Sequence, residues 1–135
     1  MLEKLDTYMD EVKQDVKLDP INILEKQMKL PTLKHKWAVI LVKTKIEKNT
    51  IIRKKKELKE KVFTELEKSD TSMPKNLPKA AMDKKIDSLP TFEEINKSLE
   101  DIDIIIEFLE KVEKQLDAMN YSITNCASLM KLETS

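Results

Sequence analysis

The sequence concentrates cations in one short stretch: "NTIIRKKKELKEKV" at residues 49–62 places Arg53, Lys54, Lys55, Lys56, Lys59 and Lys61 within nine positions. Two chemistries are open to such a run. Its ammonium and guanidinium groups can hold phosphate oxygens, or they can hold the carboxylates of a neighbouring acidic helix. Lysine outnumbers arginine 24 to one across the chain. Lysine acts as a point charge and reads no base edge, so any binding to nucleic acid would tolerate most sequences.

Other reactive side chains are scarce. There is one histidine, His35, and one cysteine, Cys126. No H-E-x-x-H, C-x-x-C, G-x-S-x-G or Walker pattern is present. Neither His35 nor Cys126 has a metal ligand at useful spacing, so no metal or cofactor is expected. A helical-bundle enzyme built on buried arginines would need more than Arg53. The Glu93/Glu94 and Asp101/Asp103 pairs read as a solvated acidic face. The chain is therefore not expected to be an enzyme. In "KHKW", Trp37 shares a seam with Leu33 and Ile40 and reads as core. His35 and Lys36 are secondary candidates for phosphate contact, with plain exposure the alternative for His35. Cys126 reads as a small buried filler. A lone cysteine excludes an intramolecular disulfide and suggests a reducing compartment.

Formal neutrality conceals a segregation of charge. Residues 26–61 hold thirteen Lys/Arg against three acids, a balance of +10. Residues 91–118 hold nine acids against three lysines, a balance of −6, and residues 1–19 carry −3. A basic middle lies between acidic ends. Pairing along one helix seam would not use +10, and the same surplus repeated around an oligomer would form a positive rim suited to phosphates. Pairing with the acidic last helix remains the alternative.

The elements that must carry these charges are helical. The chain has no glycine, 4% aromatics and 37% charged residues. These favour a few long helices over turn-rich architectures. Leu2, Leu5, Met9, Val12 and Val16 form an a/d seam on a short first helix. Asp19 and Pro20 read as a helix start, and Pro31 repeats that signal. From Pro31 to Lys68 nothing interrupts a helix, although Lys48 and Lys55 dilute its seam. "SDTSMPKNLPK" at 69–79 reads as a loop, a short helix follows over 79–88, and Thr91 with Glu94 reads as a capping box. The last helix, 92–131, carries an apolar stripe widened by Ile104, Ile105 and Phe108. A stripe that wide implies a bundle plus an oligomer interface, assigned to Ile102, Ile106, Leu109, Leu116, Ile123 and Met130. The expected fold is all-α, a single helical domain over 1–135. It divides into an N-terminal segment (1–30), a long basic helix (31–68), a proline-containing connector (69–90) and a C-terminal oligomerisation helix (91–135). No signal-peptide core or membrane-length apolar run is seen, and the expectation is a soluble intracellular protein.

Three stretches together carry a family resemblance. "MLEKL…DVKLDP", "KLPTLKHKW" and "INKSLEDIDIIIEFLEKVEKQLDAMNYSITNCASLMKLE" resemble, in order and spacing, the UvsY family of recombination mediators of T-even-like tailed phages. The resemblance spans nearly the whole chain. It implies a non-enzymatic helical protein assembled into a ring-like or open-barrel homo-oligomer, a hexamer or heptamer, through its C-terminal helix. It further implies binding to single-stranded DNA and to the single-strand-binding protein coating it. The family then helps a phage recombinase load there, in the cytoplasm of the infected bacterial host. The family's Leu-Lys-x-Arg-Leu element is resembled by Leu58-Lys59-Glu60-Lys61-Val62, with Lys61 in the arginine's place and a one-residue slip from Trp37. The tyrosines that commonly follow in the family are absent from "TELEK" at 64–68. The expected DNA-binding set, drawn from the basic run, is Arg53, Lys54, Lys55, Lys56, Lys59 and Lys61, with His35 and Lys36 secondary.

Overall fold

The computed structural model describes residues 1–18, 21–68 and 79–134, apart from the side chains of Lys79, Cys126, Ala127, Met130, Glu133 and Thr134. The Asp19–Pro20 helix start, the loop at 69–78 and the Cys126 and Met130 assignments lie outside the described set. Four helices follow in order: α1 Leu2–Asp15, α2 Ile23–Lys68, α3 Lys79–Asp87 and α4 Glu93–Thr134, with a 3-10 turn at Pro90–Phe92 leading into α4. No described residue has positive φ, in keeping with a chain that has no glycine. Among the described residues, no helix is long and apolar enough to cross a membrane.

The molecule is a long antiparallel hairpin of α2 against α4, with α1 laid along its first half. Its core takes Ile23, Leu30, Trp37 and Leu41 from α2. Ile105, Leu109, Val112, Leu116, Met119 and Ile123 of α4 face them, and Val12 of α1 closes the side. Spacings of seven and four on α2, and of three and four on α4, keep one stripe of each helix inward. Ile86, Phe92 and Ile102 are buried in a separate group near the α3–α4 corner.

Three local expectations change. Pro31 does not begin a helix; it lies inside α2, which is 46 residues long and roughly 69 Å at ~1.5 Å per residue. The residue whose carbonyl the proline leaves unbonded, Gln27, and Pro31 itself are exposed. Water can reach the freed carbonyl while Leu30 and Trp37 anchor the turns on either side. On α1, Leu2 and Met9 are exposed, and Leu5, Tyr8, Val12 and Val16 face inward. The stripe shifts because Tyr8 packs edge-on against Trp37, with ring centroids 6.0 Å apart. Thr91 lies within the 3-10 turn whose cap is Leu89, so it forms no capping box at the start of α4.

Candidate nucleic-acid interface

Beyond Thr44 no residue of α2 is buried. The inner line of the helix is then continued by Lys48, Lys55 and Lys59, and each meets a carboxylate. Among the described residues the inward pairs run antiparallel along the hairpin. Lys34 meets Asp117 at 3.1 Å, Lys45 meets Glu110 at 3.8 Å and Lys48 meets Asp103 at 2.6 Å. Lys55 meets Asp87 at 2.6 Å, and Lys59 lies 3.4 Å from both Asp83 and Asp87. With Arg53 at zero and about 100° per residue, these five lysines fall at about 200–280°, overlapping the buried stripe at about 180–240°.

The rest of the run faces away. Arg53, Lys54, Lys56 and Lys61 are exposed and have no ion pair among the described residues. Lys43, absent from the sequence-derived set, is exposed and unpaired as well. It shares a line at about 80–100° with Lys54 and Lys61, a placement available from the helical wheel alone. At ~1.5 Å per residue, the steps along that line are roughly 16 and 10 Å. Trp37 is fully buried and Phe63 half-buried, so no aromatic ring fronts this face. The surface presents charge for a phosphate backbone and no stacking platform.

Three of the expected DNA-contacting cations, Lys36, Lys55 and Lys59, have intramolecular anions in the folded chain. Lys55 also donates to Asn96 Oδ1 at 2.6 Å, while Asn96 Nδ2 donates to the Asp87 carbonyl at 3.3 Å. The hydrogen bond and charge of Lys55 hold the Asp87 carboxyl below its ordinary value, against the opposing effect of burial. Lys36 belongs to the α1 contact: its ammonium lies 2.8 Å from Asp15, 3.3 Å from Glu11 and 5.0 Å from the Trp37 ring centroid. Burial alone would lower its pKa; the Asp15 and Glu11 hydrogen bonds outweigh that and raise it. Trp37 Nε1 donates to the same Asp15 oxygen at 3.0 Å. His35 is exposed, as both of its readings require.

The expected subunit contacts divide similarly. Ile102, Leu109, Leu116 and Ile123 are buried within a single chain, and Ile106 is half-buried against the core. In the single chain their apolar area packs α4 against the rest of the fold. Exposed apolar side chains gather where α2 begins and α4 finishes: Leu24, Met28, Tyr121 and Leu129.

The chain matches the model of the family described as recombination, repair and ssDNA binding protein UvsY, over residues 11–135. No curated protein matches it. Solved structures do: the crystal structure of the bacteriophage T4 recombination mediator protein UvsY, lattice type II, is similar with a TM-score of 0.78 at 18% identity, covering 97% of this chain and 98% of that one. The lattice type IV structure of the same T4 protein gives 0.78 at 18% identity, with 96% and 98% covered. Lattice type III gives 0.72 at 17% identity, with 97% and 98% covered. The shared fold is thus the long helical hairpin described above, and the chain belongs to the UvsY family.

Proposed function

We propose that this chain is a recombination mediator whose outer α2 face binds the backbone of single-stranded DNA. Lys43, Arg53, Lys54, Lys56 and Lys61 supply the contacts. The observation carrying this reading is the division of α2: its inward lysines have carboxylates, and these five cations are exposed with no ion pair among the described residues. Family membership supplies the ligand class. The mediator assembles as a ring-like homo-oligomer, and Leu24, Met28, Tyr121 and Leu129 contribute to contact between copies. Weak phosphate contacts multiplied around the ring by avidity constrain the strand. In that state the assembly engages single-strand-binding protein and helps a phage recombinase load, in the cytoplasm of the infected host.

The test is a titration of labelled oligo-dT at increasing salt. The logarithm of affinity should fall steeply with the logarithm of salt, by about 0.7 per neutralised phosphate. The triple reversal K43E/K54E/K61E should abolish binding while leaving the melting temperature near that of the parent. The second reading, a structural adaptor whose basic helix serves its own acidic partner, is favoured by the inward ladder of pairs. It predicts no oligo-dT binding at low salt.

A further inference from the structure

Lys55 and Lys59 differ from the other inward lysines in where their partners come from. Lys34, Lys45 and Lys48 pair with α4, whose inner face is locked into the main core. Lys55 and Lys59 pair with Asp83 and Asp87 of α3, a helix of nine residues. The attachment of α3 is narrow. Ile86 is buried, while Asp83 is 65% and Asp87 40% exposed at the side chain, against 20% for Lys59 and 18% for Lys55. An open cleft of about 400 Å³, lined by Phe63, Met82 and Ile86 among others, separates the outer part of α3 from α2.

Lys59 also adjoins one of the unpaired cations. Lys56 and Lys59, three residues apart and so neighbours on the helix surface, both line that open cleft beside Asp83. A strand held at Lys56 reaches Lys59 there, with Lys55 one turn before Lys59 on the same side of the helix. Carboxylate and phosphate oxygens satisfy an ammonium in the same way, through charge-assisted hydrogen bonds.

We propose that Asp83 and Asp87 stand in for phosphate: they occupy Lys55 and Lys59 in the free protein, and the backbone of a bound single strand takes these two lysines from them by exchange. The inference rests on the reading of α2 as a DNA-binding face. Exchange does not require α3 to leave. Ile86 stays buried, the two carboxylates turn into solvent, and Asn96 keeps its hydrogen bond to the Asp87 carbonyl. The covering carboxylates are tethered and locally concentrated, so a short oligonucleotide displaces them poorly. A long strand already held at Lys54, Lys56 and Lys61 competes on equal terms. Binding thereby acquires a length threshold.

The test measures oligo-dT affinity and its salt slope for the parent, D83N/D87N, K55Q/K59Q and the combined variant. Removing the carboxylates should tighten binding several-fold, most for short oligonucleotides. Adding K55Q/K59Q should erase that gain and lower the slope by about 1.4, two contacts at ~0.7 each. The proposal is overturned if D83N/D87N binds like the parent, or if its gain survives K55Q/K59Q, since the gain is then a general field effect of two lost charges. Should D83N/D87N lose helix by circular dichroism, D83N alone, at the more exposed position, must still give part of the gain. Failure of the parent itself to bind at low salt overturns the DNA reading instead.

Discussion

The two halves of α2 solve the same packing problem with different materials. From Ile23 to Leu41 the core line is apolar and buried, formed by Ile23, Leu30, Trp37 and Leu41. From Lys48 to Lys59 the same line carries Lys48, Lys55 and Lys59, each ending on a carboxylate. Apolar contacts carry no charge to titrate, hold no partner in particular, and account for most of the stability. Partly exposed ion pairs add little net stability, yet they are positional and exchangeable. A helix built from both is anchored along one half and left chemically open along the other.

The contrast is broken most severely at Trp37. Trp37→Ala removes a fully buried ring, its edge contact with Tyr8 and its hydrogen bond to Asp15. A loss of about 3–5 kcal/mol by urea unfolding is expected. Asp15→Asn probes the junction between α1 and the anchored half, withdrawing the charge that meets Lys36. Its cost should be about 1–2 kcal/mol, read as faster hydrogen exchange in α1 with the α2–α4 core still protected.

Acid titration sharpens the comparison from the open half. The Asp87 carboxyl has a folded pKa below its ordinary 3.8. Its contribution is therefore complete above that value and is lost as pH falls through the folded one. The parent should lose melting temperature more steeply than D87N below about pH 4, while the two run parallel at neutral pH. Lys36 works in the opposite sense: its pKa lies above the ordinary 10.5, so its share is complete below that value and fades as pH rises through the raised one. The smallest expected change in stability belongs to Lys54→Gln, within ~0.5 kcal/mol of the parent by thermal melting. Its signature is a salt slope for oligo-dT shallower by about 0.7.

Helix type and the interruption of the α2 seam were legible because both follow from local spacing. Lys48 and Lys55 stood out in the sequence as breaks in an apolar repeat, and in the structure they are the places where carboxylates enter. Periodicity could not say what covers a stripe. Ile102, Leu109, Leu116 and Ile123 looked like a subunit contact, yet α2 of the same chain lies over that face of α4. Nor could it assign anions to cations. Arg53 and Lys55 are alike in sequence, and only the return of α3 and α4 across the helix makes one free and the other paired. Pro31 misled for a complementary reason: its steric rule concerns one carbonyl, and exposure relieves that rule where burial on the far side of the helix sustains the rod.

That proline has a mechanical consequence. It removes one rung from the hydrogen-bond ladder of a beam some tens of ångströms long, between the exposed apolar tip at Leu24 and Met28 and the span clamped by Trp37 and Leu41. A beam lacking one rung flexes there at least cost. In the ring-like assembly proposed above, the tip would tilt there to meet a neighbour's contour, and small differences in how copies fit would be absorbed before they reach the cations.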